Sequence, residues 1–517
     1  MRANYDLCVI GGGPSGYAAA MRAADFGKSV LLVERKRLGG TGIFDGALAS
    51  KTMWELSNKV KTIREELGAS AASEMPFAQV RSAISAAIEE STALMQRQLR
   101  LIQEQSQNMD FVQGAASFVS PTQLKLTLPD GTTQTVGAAH TIIAAGSRPR
   151  LLPEIAVDEK TIVTSNGILH FDHFPKSIVI VGGGIIGCEF ASMFANFGQT
   201  RVCMIEREGR LLPFEDEDVS RLVTQNLVQN GVVVHERARL LRLEQRAGGV
   251  EYEIADRQGD RQVFFVEKAL VSVGRVPNLE DLQLANAGVR TSERGIEIPD
   301  NDTQTNVPKI HAVGDISGHV ALVSVGEREA RHAVVSLFAN FKAAPIRYKI
   351  MSSIMFLAPE VALVGANEQT LRQQNIPYRV AKVDFSVLSR AIAMRKTRGF
   401  FKLLVSDDDE MKVLGMRAVG EHASSAIQVV ALVIYLGKGI TELADMVFPY
   451  PSIVEGIQTC TRLLMGKAVL KPDILPDKVQ CYRYVNGQQI PIHNQAARRP
   501  APAMAAAPRK NLPRKKK

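Results

Sequence analysis

Thiol chemistry has little to work with in this 517-residue chain. Its five cysteines, Cys8, Cys188, Cys203, Cys460 and Cys481, include no pair at C-x-x-C or similar spacing. That excludes a zinc-ligand set or a disulfide framework, predicts no metal, and fits a reducing compartment. Tryptophan is nearly absent too, with Trp54 the single example. No apolar run approaches the ~18 residues of a membrane-spanning helix. Met1 to Ile10 leads straight into a strand pattern without an apolar leader, so a cytoplasmic location is expected. Excess charge is missing from the body of the chain. The net charge is +9, but eight of the 62 basic residues fall between Arg498 and Lys517, where no acid occurs; the remaining 54 nearly match the 53 acids. The basicity therefore belongs to an Ala/Pro-rich tail, expected to be disordered from about 496.

Glycine, by contrast, is abundant and clustered. Asp6–Gly16 and Ile178–Gly187 each read as an apolar run, then G-x-G-x-x-G, then a helical pattern. The first helix is expected from Tyr17 to Phe26 and the second from Glu189 to Phe197, each closed by a glycine, Gly27 and Gly198. A second apolar run then ends in an acid, Glu34 in one copy and Glu206 in the other. Gly11 and Gly182 permit a tight turn, Gly13 and Gly184 admit a pyrophosphate, and Gly16 and Gly187 let helix and strand pack closely. The helix N-termini offer free N–H groups and partial positive charge to phosphates, and each acid accepts ribose hydroxyls. One such motif is weak evidence, but two complete copies predict a chain that binds two dinucleotides. The simplest chemistry needing both is electron transfer between a nicotinamide and a flavin. The carboxylate of Glu206 favours NADH over NADPH; Arg207 and Arg210 leave NADPH use open.

Elsewhere, 71–105 reads as mostly helical, and 111–136 and 232–266 as short strands and hairpins. From Ile346 the pattern becomes mixed strand and helix, which suggests a third domain.

With these motifs in place, the chain resembles the pyridine nucleotide–disulfide oxidoreductases, a family that includes dihydrolipoamide dehydrogenase, glutathione reductase and soluble pyridine nucleotide transhydrogenase. The resemblance spans roughly residues 4–475 and rests on four further segments. Thr141–Pro149, containing Gly146, is similar to the strand leaving the FAD domain; Val273–Asn278, containing Gly274, to the exit from the NAD domain. Thr305–Asp315 is similar to the second FAD fingerprint, whose Asp315 would hold the ribityl chain, and Phe356–Gly365 to the start of the dimerisation domain. The resemblance implies an α/β fold with two Rossmann-like dinucleotide-binding domains, for FAD and NAD(P), plus a C-terminal α+β dimerisation domain. It implies an FAD domain over 1–150 and 276–345, an NAD(P) domain over 151–275, a dimerisation domain over 346–475 and an extension over 476–517. It also implies FAD as cofactor, NADH as reductant and a head-to-tail homodimer.

The chain departs from the family where thiols are expected. Gly39, Gly40, Thr41, Ser50 and Lys51 match its redox segment, but Gly42 and Ala47 occupy the two cysteine positions. Neither side chain can form a thiolate or a mixed disulfide. The family's His-Pro and Glu on the dimerisation domain correspond to Tyr450-Pro451 and Glu455. A phenol titrates near ~10, so tyrosine is a poor base at neutral pH. Lys51 and Glu189 match the family's ion pair near flavin N5, where the lysine would favour negative charge on the reduced ring. Cys188 and Trp54 read as core residues, with Trp54 also placed to roof the emptied thiol pocket.

The expected function is an FAD-dependent NAD(P)H oxidoreductase that passes electrons to a small-molecule, non-disulfide acceptor, most simply a transhydrogenase-like activity. The expected site comprises Lys51, Glu189, Tyr450 and Glu455 for catalysis. For FAD it comprises Gly11, Gly13, Gly16, Glu34, Gly40, Thr41, Lys51, Gly146 and Asp315, and for NAD Gly182, Gly184, Gly187, Glu206 and Gly274. The competing class is a redox-silent binding protein whose basic tail contacts nucleic acid, ribosome or an anionic membrane.

Overall fold

The computed structural model describes residues 1–68 and 75–492. The basic tail from 496 lies outside the described residues. Three sheets organise the chain. The first begins with the parallel strands Asn4–Ile10, Val30–Glu34 and Met109–Gln113, with Thr133–Ile143 on the other side of Asn4–Ile10. The antiparallel strands Gln123–Thr127 and Ala115–Ser120 extend it. Ile310–Ala312, far along the chain, returns to pair in parallel with Thr141–Ile143. The second sheet is parallel, in the order Val233–Glu236, Arg201–Glu206, Ser177–Val181, Lys268–Val271, Ile162–Val163. Its central strand, Ser177–Val181, is buried throughout, as expected for a parallel strand covered on both faces. Ser147–Pro149 and Arg275–Pro277 pair antiparallel where the chain enters and leaves this second unit.

The two glycine-motif helices begin earlier than their apolar pattern suggested. They span Pro14–Asp25 and Ile185–Phe197, with Gly13 and Gly184 as extended N-caps. Gly16 and Gly187 therefore sit inside the first helical turn, and the apolar periodicity starts only after it. Where the sequence reading saw one helical stretch over 71–105, the structure has Phe77–Ser106, preceded by a 21-residue helix, Ala47–Leu67. That earlier helix carries Lys51 and Trp54.

The third sheet is antiparallel, in the order Ser353–Met355, Val361–Gly365, Val413–Val419, Phe400–Ser406, Tyr378–Asp384, Val479–Val485, Gln488–Pro491. Helices Ala423–Leu436 and Glu455–Leu464 pack their apolar sides on its core. The sheet continues past 475 into the expected extension. Val479–Val485 pairs with Tyr378–Val383 along its whole length, burying Val479, Cys481 and Tyr482. The described part of the extension, 476–492, is thus joined to the third sheet. The alternation in Val479–Val485 carried the signal, but the basic, Pro-rich segment beyond it dominated the composition of the C-terminus.

Ending the chain after Ile492 should leave thermal stability unchanged. Ending it at Leu475 should expose the edge of Tyr378–Asp384 and cost upwards of ~3 kcal/mol, seen as a lowered melting temperature or loss of soluble protein.

Candidate active site

The two glycine turns superimpose in chemistry. Gly11 and Gly182 have φ near +105° and +107°, and a side chain at either would run into the opposite strand end, at Ala144 or Ser272. Only glycine fits both the angle and the space. A Cβ on Gly13 or Gly184 would meet nothing within 4 Å, so this side of each turn is an open cradle. Neither helix has an acid in its first turn or a capping side chain, so its N–H groups remain available to phosphate.

The acids are held the same way in both copies. Glu34 accepts Gly12 N–H at 2.6 Å and Lys36 N–H at 2.7 Å. Glu206 accepts Gly183 N–H and Glu208 N–H, both at 2.7 Å. Each carboxylate is fixed against its own turn, with acceptor capacity left for hydroxyl donors. Arg210, considered a softener of the charge at Glu206, is turned away: its Nη2 donates to Pro213 O, Glu215 O and Gln369 Oε1. Arg207 is 81% exposed and pairs with Glu208.

Lys51 and Glu189 meet across the domains. Lys51 Nζ lies 2.8 Å from Glu189 Oε2, and Glu189 Oε1 accepts Phe356 N–H at 2.9 Å. Lys51 also lies over the Phe356 ring, which Trp54 contacts edge-on at 5.2 Å. Trp54 is itself core: it is buried and donates to Leu357 O at 3.1 Å. Cys188 is buried too, and burial pushes its thiol well above the ordinary range. The residues beside the family's redox segment are thus tied to the third domain through Phe356 and Leu357.

Asp315 follows Gly314 in a short helical turn. Its Oδ2 accepts Ser147 Oγ–H at 2.6 Å, and Ser147 is in turn gripped by Arg275 through Oγ and carbonyl, both at 2.8 Å. Burial disfavours the charge on Arg275, while Asp315 and Asp45 support it. Gly146 and Gly274 hold φ of +67° and +112° at the crossing strands, and Gly40 and Thr41 sit beside the first glycine turn, Gly40 against Gly13.

Glu329 went unnoticed in the sequence. It is 0% exposed, on the helix Val323–Phe338, and accepts Gly314 N–H at 2.5 Å and Tyr348 O–H at 2.6 Å. Burial pushes its carboxyl up to about 7, against hydrogen bonds from Tyr348 and Gly314 and with help from Asp315. The available signal was an acid aligned with Val325 and Ala333 on the apolar side of that helix. Ser147 and Arg275 lie within the segments Thr141–Pro149 and Val273–Asn278, and their pairing across the two strands is visible only in the fold.

Tyr450 and Glu455 lie apart from these groups. No hydrogen bond or ion pair among the described residues links them to Lys51, Glu189 or Asp315. They meet instead at Ser389: Tyr450 O–H donates to Ser389 Oγ at 3.0 Å, and Glu455 Oε1 accepts Ser389 N–H at 3.2 Å. Burial raises the Glu455 carboxyl, partly countered by that N–H. Tyr450 is 77% exposed.

Residues 5–330 match the pyridine nucleotide-disulphide oxidoreductase model, and 351–461 match that family's dimerisation domain. The chain belongs to the pyridine nucleotide-disulphide oxidoreductase family. It is 31% identical over 467 residues to a dihydrolipoyl dehydrogenase of Bacillus subtilis, covering 90% of this chain and 99% of that one. A dihydrolipoamide dehydrogenase of Chaetomium thermophilum is 30% identical, with 90% and 92% covered. The crystal structure of LpdA from Mycobacterium tuberculosis superimposes with a TM-score of 0.81 at 23% identity, covering 89% and 99%, and shares the fold. As a member of this family the chain is an FAD-dependent pyridine nucleotide oxidoreductase using FAD and NAD(H). Its dimerisation domain supports homodimer formation. No helix among the described residues is long and apolar enough to cross a membrane, and no cluster of metal-ligating side chains occurs among them.

The lost cysteine positions differ from one another. A Cβ at Gly42 would overlap Pro14 and lie near Val323, whereas Ala47 is exposed. Gly42→Cys should therefore destabilise by ~1–3 kcal/mol as an overpacked site, while Ala47→Cys should be neutral and react readily with a thiol reagent; melting curves and thiol titration report both.

Glu329 also sets a pH dependence. Its folded value lies above the ordinary 4.5, so its contribution is full below about 4.5 and is lost as pH rises through about 7. The stability of the wild type relative to Glu329→Gln should fall by roughly 3 kcal/mol across that window, measured by denaturant unfolding at each pH.

Proposed function

We propose that this chain oxidises NADH and delivers the electrons to an acceptor other than a disulfide, with a transhydrogenase-like transfer to NADP as the leading form. The observation that carries the reading is an intact Lys51–Glu189 pair, at 2.8 Å, beside a segment in which glycine and alanine stand at both thiol positions. A redox-silent chain would gain nothing from this partly buried ion pair, in which the Lys51 side chain is 30% exposed.

The first glycine turn, with Glu34, Gly40, Thr41, Gly146 and Asp315, is assigned to FAD, and the second, with Glu206 and Gly274, to the nicotinamide nucleotide. The fit is direct: open cradles at Gly13 and Gly184 face helix N-termini without competing acids. FAD held there would supply the hydride-accepting redox chemistry. The protein's part is positional and electrostatic. Lys51, held by Glu189, maintains positive charge where the ring system gains electrons. Asp315, steadied by Ser147 and Arg275, holds the polar chain between ring and pyrophosphate. Glu206 selects the free ribose of NADH, while exposed Arg207 is the available cation for a 2′-phosphate. Tyr450 and Glu455, tied through Ser389, are presented on the exposed face of the dimerisation domain toward a second copy.

Dihydrolipoyl dehydrogenase activity, the name borne by the relatives, is disfavoured because neither thiol position can open a disulfide. Anaerobic NADH should bleach the flavin absorbance of the purified protein, and a thio-NADP analogue should then be reduced over many turnovers while lipoamide is not. Colourless protein that takes up no FAD, or flavin that NADH leaves oxidised, would sink the reading and favour a redox-silent binder.

A further inference from the structure

The loop that follows Glu206 is fastened to the third domain by buried charge. Arg417, on the strand Val413–Val419, forks onto Glu215 with Nε–Oε2 at 2.8 Å and Nη2–Oε1 at 3.1 Å; both side chains are almost wholly buried. Its remaining nitrogen, Nη1, is spent on the carbonyls of Val364, Gly365 and Ala366, which fixes the fork in the sheet. Next to it Lys402, 2% exposed, reaches Asp216 at 2.9 Å, Asp218 at 3.1 Å and Glu368 at 2.5 Å. Burial works against the charge on Lys402, and the three carboxylates outweigh it, holding the ammonium above its ordinary range. Three acids of the loop and following helix thus find their buried cations on the other domain.

The other end of the same loop touches the nucleotide turn. Leu212 N–H donates to Gly183 O at 2.9 Å, and Leu211 packs where a side chain on Gly183 would go. Gly183 N–H is the donor that fixes Glu206. A continuous mechanical path therefore runs from Arg417 through Glu215 and Leu212 to Gly183 and Glu206.

We infer that the third domain is a working part of the nucleotide site: Arg417 and Lys402 are positioning residues that hold the 207–216 loop on the second glycine turn and so set affinity for the nicotinamide nucleotide. This rests on the assignment of NADH to that turn. The coupling acts on binding, since neither residue reaches the site itself.

The test pairs Arg417→Met with Glu215→Gln, which removes the fork without leaving a lone buried charge. NADH affinity of the FAD-loaded protein should fall about tenfold, with KM raised, kcat unchanged and flavin content at wild-type level. Arg417→Lys, which keeps the charge but loses the bidentate geometry, should fall between. Gln369→Leu removes only the tie to Arg210, at 2.7 Å, and buries no charge; it should weaken NADH about twofold, and it decides the matter if the paired variant does not fold. Wild-type NADH affinity in the folded variants overturns the inference alone. A wild type that binds FAD but no NADH overturns it together with the assignment of the second turn.

Discussion

A carboxylate that holds two backbone N–H groups is the constraint on which both halves of this molecule depend. Glu34 and Glu206 stand at the ends of equivalent strands and each draws in a glycine N–H and the N–H two residues beyond itself. The turn is then rigid before any ligand arrives, and its open side is left at Gly13 or Gly184. Preorganisation of this kind lowers the ordering cost of binding a long, flexible dinucleotide. It also demands glycine at 11 and 182, where positive φ and the neighbouring strand leave no room for a side chain. Duplicating the device gives one chain two nucleotide cradles.

The thiol-free segment is a change of surface as much as of reactivity. At Gly42 the backbone lies against Pro14 and Val323, so the missing side chain is matched by close packing. At Ala47 no such closure occurs, and the short side chain remains exposed. Lys51, one turn further along the same helix, keeps its partner in Glu189 and its cover in Phe356. The segment thus carries no thiol, while the Lys51–Glu189 charge arrangement stands beside it. On the third domain the equivalent shift is from a base to a hydroxyl: Tyr450 engages Ser389, and Glu455 takes the Ser389 N–H rather than a neighbouring imidazole.

The glycine turns and their acids were legible in the sequence because each sits in a local pattern whose spacing is set by one turn or one strand, whereas Lys51, Glu189 and Asp315 were named from the resemblance to the family. Three kinds of feature were legible by neither route. The strand Val479–Val485 was hidden by the composition of the tail that follows it, and its place is fixed only by pairing with Tyr378–Val383. Glu329 looks like one of many acids on an amphipathic helix, and its burial depends on Tyr348 and Gly314 arriving from elsewhere in the chain. The helix Ala47–Leu67 is weakly amphipathic toward any single surface, since it packs against both Phe77–Ser106 and Ile185–Phe197. In each case the missing information is a long-range contact, which spacing along the chain does not encode.

The buried charges between the second and third domains bear on how such a protein moves. An ion pair removed from water is costly in desolvation and gains it back only with good geometry and full hydrogen bonding. Arg417 meets that demand with a bidentate fork onto Glu215 and three further carbonyls, and Lys402 lies among three carboxylates. Separating the domains would break these pairs and their geometry at once, although water entering the gap would recover part of their hydration. Lys382 adds a further tie to Asp218 at 2.8 Å from the same sheet. The crossing strands Ser147–Pro149 and Arg275–Pro277 form a second, narrower connection on the other side. The third domain is thus tied to the second by charge, and through Phe356 and Leu357 to Glu189 and to the helix that carries Lys51 and Trp54, so the two glycine turns and the third domain are joined by several independent contacts.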